Sequence, residues 1–343
     1  MNGDRMDKIK VGLAGIGAWG RNLARNFATL PGCELALVSD ADPKRAGVVA
    51  ELTPGARFTT RVDEIFSDSS IQAVVVSTPP ATHYELGKKA LEAGKDLFVE
   101  KPLVLDVTQG EELVGLAEKK KRILMVGHIM VYHPATLKLK EYIQKVEFGE
   151  VYYLYASRVN LGKVRDTENA LWSFAPHDIS MVLYFLEKLP VQVTASGQAY
   201  LQPGIEDVCF LTMHFESRQM AHIHVSWLDP HKDRKVTIVG SKKMAVFDDS
   251  ASSEKIWIYD KSVNTNPDYT TYGEYLALRT GDILIPKVES KEPLRLECQH
   301  FVDCVRERKK PRSDGRSGLE VLKVLEAAQR SLKAGGVPQR LGK

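Results

Sequence analysis

The run Val11 to Gly20 reads VGLAGIGAWG, with glycines at 15, 17 and 20 directly after an apolar stretch, and Asp40 closes the next apolar stretch, ELALVSD. Each glycine answers a different demand. Gly15 permits a tight turn off a strand, Gly17 lets backbone approach a pyrophosphate, and Gly20 lets the following helix pack closely. The helix that opens there offers unpaired N–H groups and the positive end of its dipole to phosphates. A carboxylate at the end of the second strand meets the hydroxyls of an adenosine ribose. Gly15, Ile16, Gly17, Ala18, Trp19, Gly20 and Asp40 are therefore the expected dinucleotide cradle. Asp40 favours NAD over NADP, because a carboxylate repels a 2′-phosphate. Lys44 and Arg45 lie close enough in sequence to reach such a phosphate.

Up to about His128 the strand-like runs KIKVGLA, ELALVS, IQAVVVS, DLFVE and RILMVGH alternate with helical stretches. Strands apolar on both faces and joined by helices mean a parallel sheet covered on both sides, the doubly wound α/β arrangement. A helix-like stretch from about Pro134 to Gln144 follows, and from Val151 the pattern changes to alternating runs such as VYYLYASRV, CFLTMHF and MAHIHVSW. Alternation of this kind predicts an open, mainly antiparallel sheet. One helix interrupts it, and two close the chain at Leu296 to Glu307 and Ser317 to Lys333. The expected organisation is a Rossmann domain over 1–128 and an α+β domain over 129–343 that binds substrate and assembles the oligomer.

With 343 residues the chain can bury two cores, and a net charge of +3 gives no reason to expect nucleic acid or a membrane surface as partner. The basic runs KKKR and RERKK sit at helix ends beside acidic residues, where a solvated C-terminus accounts for them. No apolar run has signal or membrane-span length, and the cysteines at 33, 209, 298 and 304 show neither metal-ligand nor disulfide spacing. These features predict a cytoplasmic protein without a metal. His222 and His224 share a strand face without a third ligand, and Tyr152, Tyr153 and Tyr155 read as packing or interface residues. A long alternating sheet with one face left to cover predicts a homodimer or homotetramer.

In an open parallel sheet, ligands lie at the carboxyl ends of the strands. After IQAVVVS come Thr78, Pro79 and Pro80, with His83 opening the next helix; after DLFV come Glu100, Lys101 and Pro102. A charged pair pinned by proline at the end of a buried strand points to a site. Together AGIGAWG, STPPATHYE, FVEKP and SFAPHDIS make the chain resemble the Gfo/Idh/MocA oxidoreductases, the family of glucose–fructose oxidoreductase and inositol dehydrogenase, over essentially its whole length. The resemblance implies nicotinamide-dependent oxidation or reduction of a sugar or polyol. It also implies that Lys101 is the catalytic lysine, and that Glu100 positions it or contacts the nicotinamide. Thr78, Pro79, His83, Glu100 and Lys101 join the cofactor set.

The second matched position is His177. Pro176 suits a helix start, which would put His177 and Asp178 in a first turn whose dipole keeps the imidazole neutral and able to accept a proton. Many family members carry aspartate four residues before and three residues after this histidine, where this chain has Ser173 and Ser180. Asp178 is then the nearest acid, although adjacent helical residues rarely face each other.

The segment Ser157 to Trp172 points to the substrate. Arg158, Lys163 and Arg165 suit phosphate, Trp172 offers a flat wall, and Asn160 a polar contact; with Lys101 and His177 they form the expected substrate set. This segment is similar to that of family members that oxidise nucleotide-linked sugars at carbon 3, which implies a UDP-linked N-acetylated sugar. Two alternatives are an NAD-dependent glycosidase that oxidises transiently and a ligand-sensing regulator. The retained Lys101 and His177 argue against the regulator.

Overall fold

A computed structural model describes residues 8–162, 164–265 and 276–341. The chain divides into two compact units, each drawn from two segments: residues up to 132 with 291–322, and residues 133–290 with 323 onward.

The first unit is built on a parallel sheet of β1 (Ile9–Ala14), β2 (Cys33–Ser39), β3 (Arg57–Thr59), β4 (Ala73–Val76), β5 (Asp96–Glu100) and β6 (Leu124–Gly127). Their order, β3-β2-β1-β4-β5-β6, is that of a doubly wound Rossmann sheet. Every residue of β4 and β6 is buried, because helices cover both faces and leave no strand position to water. Those helices are α1 (Gly20–Thr29), α2 (Ala46–Leu52), α3 (Asp63–Ser67), α4 (His83–Glu92) and α5 (Val107–Lys119). The edge strand β3 has three residues, too few for any periodicity to announce it.

The single cut after residue 128 expected from the sequence does not describe this division. After the second unit's sheet the chain returns to the first through α8 (Pro293–Glu307). Phe301 of α8 meets Phe27 of α1 and Phe98 of β5 edge-on, at centroid separations of 6.3 and 5.6 Å. Burying these rings together is what recruits the late helix to the early sheet.

The second unit holds α6 (Pro134–Gln144), α7 (Ala170–Leu186) and a nine-stranded sheet. Its strands are β7 (Val151–Val159), β8 (Gln192–Gln198), β9 (Val208–His214), β10 (Met220–Ser226), β11 (Asp233–Gly240), β12 (Met244–Asp248), β13 (Ile256–Thr265), β14 (Leu276–Leu284) and β15 (Gln339–Arg340). They run in the order β14-β13-β12-β11-β7-β10-β9-β8-β15, and α9 (Gly315–Lys333) spans the boundary between the units. Every pairing is antiparallel except β7 with β10. Helix α7 packs on β7, β9 and β10, and Leu154, Ala156, Leu211, Ile223 and Val225 are buried. On the opposite face Tyr153, Tyr155, Phe210 and Met220 are exposed. Among the described residues no helix is long and apolar enough to cross a membrane.

Candidate active site

The carboxyl ends of β1, β2, β4, β5 and β6 lie along one edge of the parallel sheet, which gathers most of the expected cofactor residues. At the glycine turn, Gly15 has φ +92° and a Cβ there would stand 2.6 Å from the Ser77 carbonyl oxygen. No L side chain fits. A Cβ on Gly20 would stand 2.2 Å from the Gly15 carbonyl oxygen, so Gly20 is required by closure of the turn itself rather than by helix–sheet packing. Gly17 differs from both: a Cβ there would meet nothing within 4 Å. Its backbone faces open space, as a pyrophosphate cradle demands.

Helix α1 begins at this turn with no side-chain cap and no acidic residue in its first turn, leaving its dipole to an anion. The Asp40 carboxylate accepts from the Ile16 N–H at 2.9 Å and from the Asp42 N–H at 3.0 Å. Each oxygen retains a lone pair for a ribose hydroxyl. These residues fit NAD.

Lys101 directly follows β5, and its bond to Pro102 is cis. Glu100, the last residue of that strand, receives the Trp19 indole N–H at 2.6 Å and the Lys101 backbone N–H at 3.1 Å. The glycine turn is thereby joined to the lysine turn. Burial raises the Glu100 carboxyl to about 7, against the opposing pull of the Trp19 hydrogen bond and the Lys101 charge. His83 is 1% exposed, its ring nitrogens within hydrogen-bond distance of the Thr78 and Pro102 carbonyls at 2.9 and 2.8 Å. The ring braces the turn after β4 against the turn after β5, where the sequence suggests a cofactor ligand.

Two buried groups beside this edge do not stand out in the sequence. His128, directly after β6, is pressed down to about 3 by burial and the Lys101 charge. Glu297 of α8 is held well above the carboxylate range by burial and by Glu100. Neither the His128 ring nitrogens nor the Glu297 carboxyl oxygens have a hydrogen-bond partner among the described residues. The signal for Glu297 was its position: it lies three residues after Leu294 and four before Phe301, on the apolar stripe of its helix.

In the second unit, α7 is capped by Asn169, whose side chain accepts from the Trp172 N–H at 3.1 Å and donates to Glu206 and Gln329. Pro176 therefore lies inside the helix instead of opening it. His177 is eight residues past the cap, beyond the reach of the N-terminal dipole, so the expected electrostatic reason for a neutral imidazole does not apply. Asp178 does not serve His177. It takes both the Nε and Nη2 of Arg158, at 2.7 and 3.0 Å, in a buried bidentate pair.

Arg158 is 6% exposed, with its Nε and Nη2 held on the buried Asp178 carboxylate, a pairing that competes with a phosphate for it. It points inward because β7 alternates, which puts Arg158 on the face that α7 covers. The Ser180 hydroxyl donates to the His177 carbonyl at 2.8 Å, and Ser173 is buried one turn before His177. Neither supplies a carboxylate. Arg165 is half exposed and pairs with Glu168 at 3.0 Å. Trp172 is partly exposed, with its indole N–H on Gln329 at 2.9 Å. Asn160 is half-buried just beyond β7; Lys163 lies outside the described residues. His222 meets the Thr212 hydroxyl at 3.1 Å and His224 stacks on Phe210 at 4.4 Å. No group of three His, Cys, Asp or Glu among the described residues could hold a metal ion.

Residues 9–128 match the model of an oxidoreductase family with an NAD-binding Rossmann fold, and residues 136–246 match the GFO/IDH/MocA C-terminal domain. The chain belongs to the Gfo/Idh/MocA oxidoreductase family. Among relatives in that family, UDP-N-acetylglucosamine 3-dehydrogenase of Acidithiobacillus ferrooxidans is 27% identical over 92% of this chain and 95% of its own. A crystal form of that enzyme superposes with a TM-score of 0.80 at 25% identity, covering 96% of this chain and 99% of its own. The scyllo-inositol 2-dehydrogenase of Bacillus subtilis is 26% identical over 89% of this chain and 88% of its own. This Gfo/Idh/MocA chain is thus an NAD-binding oxidoreductase.

Two measurements check this geometry. The Glu100 carboxyl is raised from 4.5 to about 7, so its ionisation opposes folding progressively from about pH 4.5 to 7 and by a constant amount above. Glu100→Gln should therefore raise Tm more at pH 8 than at pH 5, read by calorimetry at both. Asp178→Asn leaves Arg158 buried without its counter-ion and should destabilise the fold by about 3–5 kcal/mol, measured by urea unfolding.

Proposed function

We propose that this chain transfers a hydride between a ring hydroxyl of a sugar and NAD, with carbon 3 of a UDP-linked N-acetylated sugar as the position oxidised. The observation that carries the reading is the joining of the glycine turn to Glu100 and Lys101 through the Trp19 indole. A lysine tied to the dinucleotide cradle is positioned to serve the reaction of the bound cofactor. NAD supplies the hydride acceptor. Lys101 takes the hydroxyl proton as the carbon–hydrogen bond breaks, and His177 is the second candidate acceptor. Similarity along nearly the whole chain to a UDP-N-acetylglucosamine 3-dehydrogenase supports the substrate class.

An unphosphorylated polyol is the second reading, and one observation favours it. With Arg158 turned inward, Arg165 is the remaining described cation of the Ser157 to Trp172 segment for a diphosphate. A scyllo-inositol dehydrogenase is also among the relatives. Incubation with NAD and either UDP-N-acetylglucosamine or scyllo-inositol, followed by NADH absorbance, separates the readings: reduction with the inositol alone overturns the nucleotide-sugar assignment.

The exposed face of the nine-stranded sheet supports self-association as a homodimer or homotetramer. Tyr155 is 46% exposed and stacked on Tyr153, and Phe210 is 41% exposed. Covering such rings is a strong drive to associate.

Removing a positioned proton acceptor commonly costs about 10²- to 10⁴-fold, or roughly 3–5 kcal/mol at 1.36 kcal/mol per tenfold. Lys101→Ala should lower kcat by that factor while NAD still binds; undiminished turnover removes the lysine from the mechanism. Tyr155→Glu combined with Phe210→Glu should shift the protein to monomers in sedimentation velocity.

A further inference from the structure

At the amino ends of β1, β4 and β5, the opposite edge of the sheet from the glycine turn and Lys101, a cleft of about 720 Å³ opens among Ile9, Lys95, Asp96, Arg122, Arg306 and Arg308. Its size lies within the usual range for small-molecule sites, about 300–1,000 Å³. Four cations and one carboxylate line it, and the carboxylate is already committed. Asp96 accepts the Ile123 N–H at 2.8 Å through one oxygen and pairs with Arg308 at 2.6 Å through the other.

Of the remaining cations, Arg306 has a carboxylate partner in Asp303, whereas Lys95 and Arg122 form no ion pair among the described residues. Lys95 is 6% exposed, and its ammonium donates to the carbonyls of Asp68 and Ile71, both at 2.7 Å. It forms no ion pair among the described residues. Burial lowers its pKa, the nearby Asp68 charge works against that, and Arg122 adds to it. Arg306 gives Nη2 to the Gly32 carbonyl at 2.9 Å and Nη1 to Asp303 at 3.3 Å, while its Nε is buried without a partner. The Arg122 guanidinium is exposed and makes no hydrogen bond or ion pair among the described residues. A buried ammonium served only by carbonyls is costly. An anion brought beside it would offset that cost.

We propose that this cleft binds a small molecule through a phosphoryl group, with Arg122, Arg306 and Lys95 as the cationic ligands and Ile9 as an apolar wall. Arginine forks match phosphate oxygens in charge and geometry. The cleft is larger than one phosphate needs, which leaves space for an organic moiety against the wall. It is separate from the dinucleotide cradle, since the cradle is built on the carboxyl ends of the same strands.

The test is calorimetric titration of the full chain with inorganic pyrophosphate and, separately, with ribose 5-phosphate. Saturating NAD keeps the cradle filled, and KCl holds ionic strength constant. Saturable binding is expected, weakened at least tenfold in Arg122→Glu, a surface substitution, with NAD affinity unchanged. Lys95→Met should weaken binding similarly; if that variant fails to fold, Arg122→Glu alone decides. Tighter binding of ribose 5-phosphate identifies an organic phosphate as the ligand, and equal or tighter binding of pyrophosphate identifies the bare anion. No saturable heat with either probe, or equal affinity in wild type and Arg122→Glu, overturns the proposal.

Discussion

Everything chemical in the first unit depends on the parallel sheet being buried on both faces. A buried parallel strand must satisfy its backbone through its neighbours, and all strands then point the same way. The carboxyl ends of five strands reach one edge, and with them Gly15, Asp40, Thr78, Glu100 and His128. Residues 81 apart in sequence meet for this reason alone. The Trp19 indole on Glu100 is the clearest instance.

Burial sets the electrostatics of that edge as firmly as the sheet sets its geometry. At Glu100 the balance of desolvation against its two hydrogen bonds and the Lys101 charge falls to desolvation, which raises the carboxyl to about 7. His128 and Glu297 lie on the far side of that balance, one held neutral and the other held protonated.

The second unit resolves a similar conflict differently. A long helix must be fixed against an alternating sheet, and here a buried bidentate pair between Arg158 of β7 and Asp178 of α7 does it. Such pairs contribute register more than net stability. Their cost is functional: the arginine best placed in sequence to meet a phosphate is spent on architecture, and so is the acid nearest His177.

Local and periodic features were legible in the sequence. The three glycines, the acid after β2, the glutamate–lysine–proline turn and the change from helical to alternating pattern follow from backbone sterics and side-chain period, which act over a few residues. The sequence determined the Rossmann unit, the open sheet and the dinucleotide cradle. Tertiary structure alone decided which polar residues are spent. Pro176 reads as a helix start because it lacks an N–H, yet a mostly buried helix carries it in its interior. Arg158 reads as a ligand because it is charged, yet strand alternation turns it inward to Asp178. Glu297 and Phe301 reach the first sheet only when the last helices return to it. Charge, unlike periodicity, acquires its role from whatever long-range packing puts beside it.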